Sequence, residues 1–147
     1  MITKKLLLLA GVAIAVCNGL VGIGNLPVIQ LVEAEGSSDQ IIAHAFEEHA
    51  SGLQIEGEGI VTKILPDDVD GNRHQRFIIR LDSGQTLLVA HNIDIAPKLS
   101  TLEVGDKIAF KGEYEWNDKG GVLHWTHHDP EGHHTGGWLK LNGQTYE

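Results

Sequence analysis

From residue 53 onward, apolar and polar positions alternate in short runs broken by Gly, Asp, Asn and Pro, the pattern of half-buried β-strands. Residues 55–65 predict a first strand, with Gly57 and Gly59 inside it where a small barrel needs a bend or bulge. Residues 73–81 and 85–91 predict a hairpin around Asp82-Ser83-Gly84. Read as a two-residue Ser83-Gly84 turn, it pairs Arg76 with His91. Phe77, Ile79, Leu81, Leu88 and Ala90 then form the core face, and His74, Arg76, Ile78, Arg80, Leu87, Val89 and His91 the outer face. Residues 107–116 and 122–128 predict two further strands around Asn117-Asp118-Lys119-Gly120-Gly121. Asn142-Gly143 sets a last tight hairpin between residues 138–141 and 144–146.

Before the strands the period changes. Ile42, Ala45, Phe46 and His49 repeat at helical spacing, with Ser37 and Gln40 placed as a capping box and Gly52 as the stop. This predicts a short helix within residues 35–52. Further upstream, Lys4 and Lys5 precede a stretch without charge from residue 6 to residue 32. Residues 1–34 therefore read as a signal peptide or an N-terminal membrane anchor, with cleavage favoured because small-x-small sites occur at Ala13-Ile14-Ala15 and Val32-Glu33-Ala34. The expected location is the periplasm or the outer face of the cytoplasmic membrane, with the membrane touched only through this segment.

Several short strands behind one helix predict a mainly β fold, a small antiparallel barrel over residues 53–147. The phrase Val104-Gly105-Asp106-Lys107-Ile108-Ala109-Phe110-Lys111-Gly112 resembles the run into a late strand of oligonucleotide/oligosaccharide-binding (OB) barrels, whose ligands commonly lie on the outer face of strands two and three.

Charge and cysteine content narrow the function. All 20 acidic residues lie from Glu33 onward, with 9 of the 11 basic ones, an excess of 11 negative charges. Non-specific binding to nucleic acid is not expected of such a domain. Cys17, the single cysteine, lies in the leader, where lipidation is a weak option because Val16 precedes it. A metal site in the barrel must then use His and carboxylate donors, which suit zinc, copper or nickel.

Five of nine histidines fall in His124-Trp125-Thr126-His127-His128-Asp129-Pro130-Glu131-Gly132-His133-His134. A turn at Asp129-Pro130-Glu131-Gly132 would fold His133 back beside His128, giving a two-His-one-carboxylate metal site of His128, Asp129 and His133, completed by His127 or His134. The bland alternative is a histidine-rich polar loop packed by Trp125 and Trp138. A second candidate is the outer face of strands two and three, where His74, Arg76, Arg80 and His91 would take a small anionic ligand. If the two histidine groups converge, His74, His91 and His128 become candidate acid–base residues of a phosphodiester hydrolase. Separation favours a cell-envelope binding module.

The wording of the second half is itself informative. His74-Gln75-Arg76-Phe77, Leu87-Leu88-Val89-Ala90-His91-Asn92-Ile93-Asp94, Gly112-Glu113-Tyr114-Glu115-Trp116-Asn117-Asp118-Lys119-Gly120-Gly121 and His124-Trp125-Thr126-His127-His128-Asp129-Pro130 resemble the bacterial family catalogued as domain of unknown function 3465. The likeness covers residues 53–147. It implies small exported proteins and supplies no catalytic residue.

Overall fold

The computed structural model describes residues 36–147, so the signal-or-anchor reading of residues 1–34 and the reading of Cys17 lie outside the described residues. Among the described residues no helix is long and apolar enough to cross a membrane.

Helix α1 spans Ser38–Glu47. The expected capping box forms: the Ser37 hydroxyl accepts from the Gln40 N–H, and the Gln40 side chain accepts from the Ser37 N–H. The stop differs from expectation. His49 takes the left-handed conformation that ends the helix, at φ 53°, three residues before Gly52, which is itself left-handed at φ 74°. The His49 N–H donates to Phe46 and that of Ala50 to Ala45, the paired bonds of a Schellman cap. Ile42 and Ala45 bury one helix face against the strands.

Seven strands follow: β1 (Leu53–Ile64), β2 (His74–Arg80), β3 (Thr86–Asn92), β4 (Lys107–Glu115), β5 (Val122–His124), β6 (Trp138–Leu141) and β7 (Gln144–Tyr146). Neighbours run β1-β2-β3-β5-β4, and β4 returns to pair with β1, closing a five-stranded barrel. All pairs are antiparallel except β3–β5. Strand β1 makes closure possible by serving both ends, pairing with β4 up to Ile60 and with β2 from Ile60 onward, across a bulge between Val61 and Lys63. Gly57 lets the helix approach: a Cβ there would stand 2.7 Å from Ser38 Oγ. The β6–β7 hairpin extends the wall from β4, and Asn142 and Gly143 both take the positive φ that a two-residue turn requires. Phe77, Ile79, Leu87, Val89, Ile108, Phe110, Tyr114, Leu123 and Leu139 fill the barrel. Each such side chain contributes about 1.5–3 kcal/mol by leaving water.

One register differs from the sequence reading, with consequences for the site. The β2–β3 loop has three residues: Leu81 lies opposite Gln85, the Gly84 N–H donates to the Leu81 carbonyl, and Gly84 sits at φ 89°. That odd residue moves every β3 side chain to the other face. Arg76 pairs with Ala90, and Gln75 with His91. Phe77, Ile79 and Leu81 are in the core as expected, but they are joined by Leu87, Val89 and His91, while Leu88 and Ala90 turn outward.

Inside the barrel end, Gln75 and His91 are neighbours. Gln75 exchanges two hydrogen bonds with the backbone of Leu99. His91 Nε2–H donates to the Pro97 carbonyl at 3.1 Å, and Nδ1 accepts from the Thr126 hydroxyl at 2.9 Å. Together they strap the β3–β4 connection and the chain after β5 to the barrel wall.

Candidate functional site

Strand β5 stops at His124 rather than continuing to His128, because Trp125 adopts a left-handed backbone at φ 52°. Such a conformation is rare for a bulky residue and costs of order 1–3 kcal/mol. The fold holds it there. Gly137 packs against it so closely that a Cβ would lie 2.2 Å from the Trp125 carbonyl oxygen, and the Gly137 N–H donates to the His127 carbonyl at 2.9 Å. The result ends the alternation of the strand and turns Thr126 and His127 into the interior.

On the barrel's outer face, Glu113 and Glu115 sit two apart on β4 and so share a side. The β4–β5 register places His124 directly opposite Glu113. Its Nε2 lies 3.6 Å from Glu113 Oε1 and 3.9 Å from Glu115 Oε1. Both separations are too long for hydrogen bonds, and this nitrogen is buried without a partner among the described residues. Burial pushes the His124 pKa down against the opposing pull of the two carboxylates. Among the described residues, Glu113, Glu115 and His124 are the one group of three such donors lying within 4.8 Å of one another. Two ligands on a tetrahedral ion with bonds of about 2.1 Å stand about 3.4 Å apart, close to these spacings.

The expected set of His128, Asp129 and His133 does not meet. The Asp129–Gly132 turn does form, with the Gly132 N–H donating to the Asp129 carbonyl, but His133 is carried out to solvent beside Glu131. His128 is exposed. The Asp129 carboxylate instead accepts from the backbone N–H groups of His134 and Glu131, which hold its pKa below the usual carboxylate range. His134 stacks on Trp125 with ring centroids 4.2 Å apart, and His127 stands edge-on to it at 4.9 Å. Burial lowers the pKa of His127 as well, and its Nδ1–H donates to the His128 carbonyl at 2.8 Å.

Strands β2 and β3 present His74, Arg76 and Arg80 outward, but without His91. Arg76 donates twice to the Pro66 carbonyl and lies 3.8 Å from Asp68. His74 Nδ1–H donates to the Asn72 carbonyl. The candidate acid–base residues of a hydrolase, His74, His91 and His128, therefore do not share a face, and Arg76 lies outward without His91. His91 is fully buried, both ring nitrogens are engaged, and burial drops its pKa to about 4.

The group around His124 was missed in the sequence, although a signal was present. Folding the β4 and β5 segments about Asn117–Gly121 places His124 beside Glu113, and the i, i+2 glutamates supply the rest.

Comparison with curated proteins and with solved structures gives no match. A family model described as protein of unknown function, DUF3465, matches residues 26–147. With most of its length matched, including the whole barrel and the site just described, the chain belongs to the DUF3465 family.

Proposed function

We propose that this protein is an exported binding module of the cell envelope that holds a divalent transition-metal ion on its outer barrel wall, with Glu113, Glu115 and His124 as ligands. The observation that carries this reading is the buried, unpartnered Nε2 of His124 facing two carboxylates. Leaving a buried polar atom unsatisfied costs about 1–3 kcal/mol, and a metal ion relieves that cost while neutralising both carboxylates. The nitrogen-and-oxygen donor set suits zinc, copper or nickel. Export is supported by Lys4, Lys5 and the uncharged stretch that follows them.

Calorimetric titration of the purified protein with each ion tests the site. Micromolar binding is expected, weakening in acid as the ligating imidazole protonates, at a pH below the ordinary histidine range because burial lowers the His124 pKa. His124→Ala combined with Glu113→Gln should abolish it, and an unchanged affinity in that variant removes the site. A C-terminal reporter that works only outside the cytoplasm tests export separately; a full-length fusion that stays inactive sinks that half of the proposal.

A further inference from the structure

A cleft of about 670 Å³ opens between residues 125–134 and the β3–β4 connection. It does not include Glu113, Glu115 or His124. We propose that this cleft binds a small aliphatic amine, an ammonium group accepted by His127 Nε2 in the field of the Asp129, Glu131 and Glu147 carboxylates and its alkyl stem lying along Trp125 and Ile95.

The volume lies within the range of small-molecule sites, roughly 300–1,000 Å³, and far exceeds a bare ion. Hydrogen-bond polarity then selects the ligand. The Nδ1–H of His127 already donates to the His128 carbonyl, and that of His134 to the Thr135 carbonyl at 2.9 Å. In the neutral rings each Nε2 is left as an acceptor. His127 is 2 % exposed, lines the cleft, and its Nε2 makes no hydrogen bond to the described residues. The carboxylates accept only, and among the described residues neither Lys nor Arg lines the cleft. A ligand that brings N–H donors therefore meets acceptors at His127 Nε2 and the carboxylates, while the side-chain donors on the wall are confined to the amides of Asn72 and Asn92, the indole of Trp125 and the imidazoles of His128 and His133.

Charge agrees with polarity. Burial biases His127 toward the neutral ring, and backbone N–H groups keep Asp129 ionised. Asp94, also on the wall, is answered by Arg73 at 2.7 Å, which leaves Asp129, Glu131 and Glu147 without a Lys or Arg partner among the described residues. His133 and His134 lie beside Glu131 and Asp129, and the latter pair stands 3.8 Å apart. The apolar part of the ligand is set by Ile95 and Trp125, two of the few large hydrophobic side chains left exposed, at 60 % and 36 %, and both on this wall. The strained backbone of Trp125 puts its ring there.

The test uses protein stripped of metal with a chelator, so that it reads independently of the Glu113–Glu115–His124 site. Cadaverine and spermidine are titrated at low salt while amide shifts and tryptophan fluorescence are followed. Saturable shifts grouped on Trp125, His127, His134 and Ile95 are expected. Glu131→Gln with Glu147→Gln, both exposed and harmless to folding, should weaken binding about tenfold, as should added salt. His127→Phe keeps a ring but removes the acceptor and should weaken it several-fold. Pentane-1,5-diol and glutarate, of matched length, should not bind. The proposal is overturned by glutarate producing the same pattern, by the double variant binding as the parent does, or by zinc producing the pattern where neither amine does.

Discussion

His91 and His124 lie on strands of one barrel, and burial lowers the pKa of both, yet they end in opposite situations. His91 faces inward with both ring nitrogens hydrogen-bonded, closing a strap between β3, Pro97 and Thr126. His124 faces outward with a buried Nε2 that nothing satisfies. A buried polar atom without a partner is destabilising unless something supplies one, so the incomplete histidine points to a ligand and the complete one to architecture. Burial and pKa alone do not separate the two cases; the count of satisfied nitrogens does.

The contrast can be broken first by truncation. His91→Ala should cost about 2–4 kcal/mol in urea unfolding of the metal-free protein, through a cavity and an orphaned Pro97–Thr126 strap. His124→Ala in the same assay should cost less than about 1 kcal/mol, since no bond is lost. Equal losses would erase the distinction.

Acid sharpens it. The native fold holds His91 neutral down to pH about 4, whereas the unfolded chain protonates it near 6.5. The unfolded state therefore binds the extra proton, and stability present above pH 6.5 falls as pH is lowered through this window, by about 3 kcal/mol when complete. In His91→Gln that part of the slope should vanish, which the difference between the two stability–pH curves measures. Metal comes next. At an ion concentration about a hundredfold above Kd, the parent should gain about 2.7 kcal/mol and His124→Ala nothing, a difference read from thermal unfolding. The smallest effect belongs to Arg76, whose partners are the Pro66 carbonyl and a distant, half-exposed Asp68. Arg76→Ala should change stability by no more than about 1 kcal/mol. Loss of binding to a small anion in that variant would instead restore the outer face of β2 and β3 as a site.

Much of the fold was legible because its signals are local. Asn142-Gly143, the Ser37/Gln40 capping box and the alternation of Phe77, Ile79 and Leu81 each act within a few residues, and each appears as read. The β3 face was misassigned because Asp82-Ser83-Gly84 accommodates a two- or three-residue loop, and one residue reverses the whole strand. The histidine run was read as one site because strand β5 was extended through Trp125. Its left-handed backbone carries no residue-level signal; the Trp125 carbonyl packs against Gly137, twelve residues away, where any Cβ would clash with it.

The sequence by itself determined the element types, the helix start, the closing hairpin, the acidic balance and the family. These follow from periodicity, turn chemistry and composition, which need no partner strand. Tertiary structure alone decided which histidines are satisfied. That depends on cross-strand register and on contacts such as His91 with Pro97 and Thr126, or His124 with Glu113 and Glu115, whose distances are set by barrel closure rather than by neighbours along the chain.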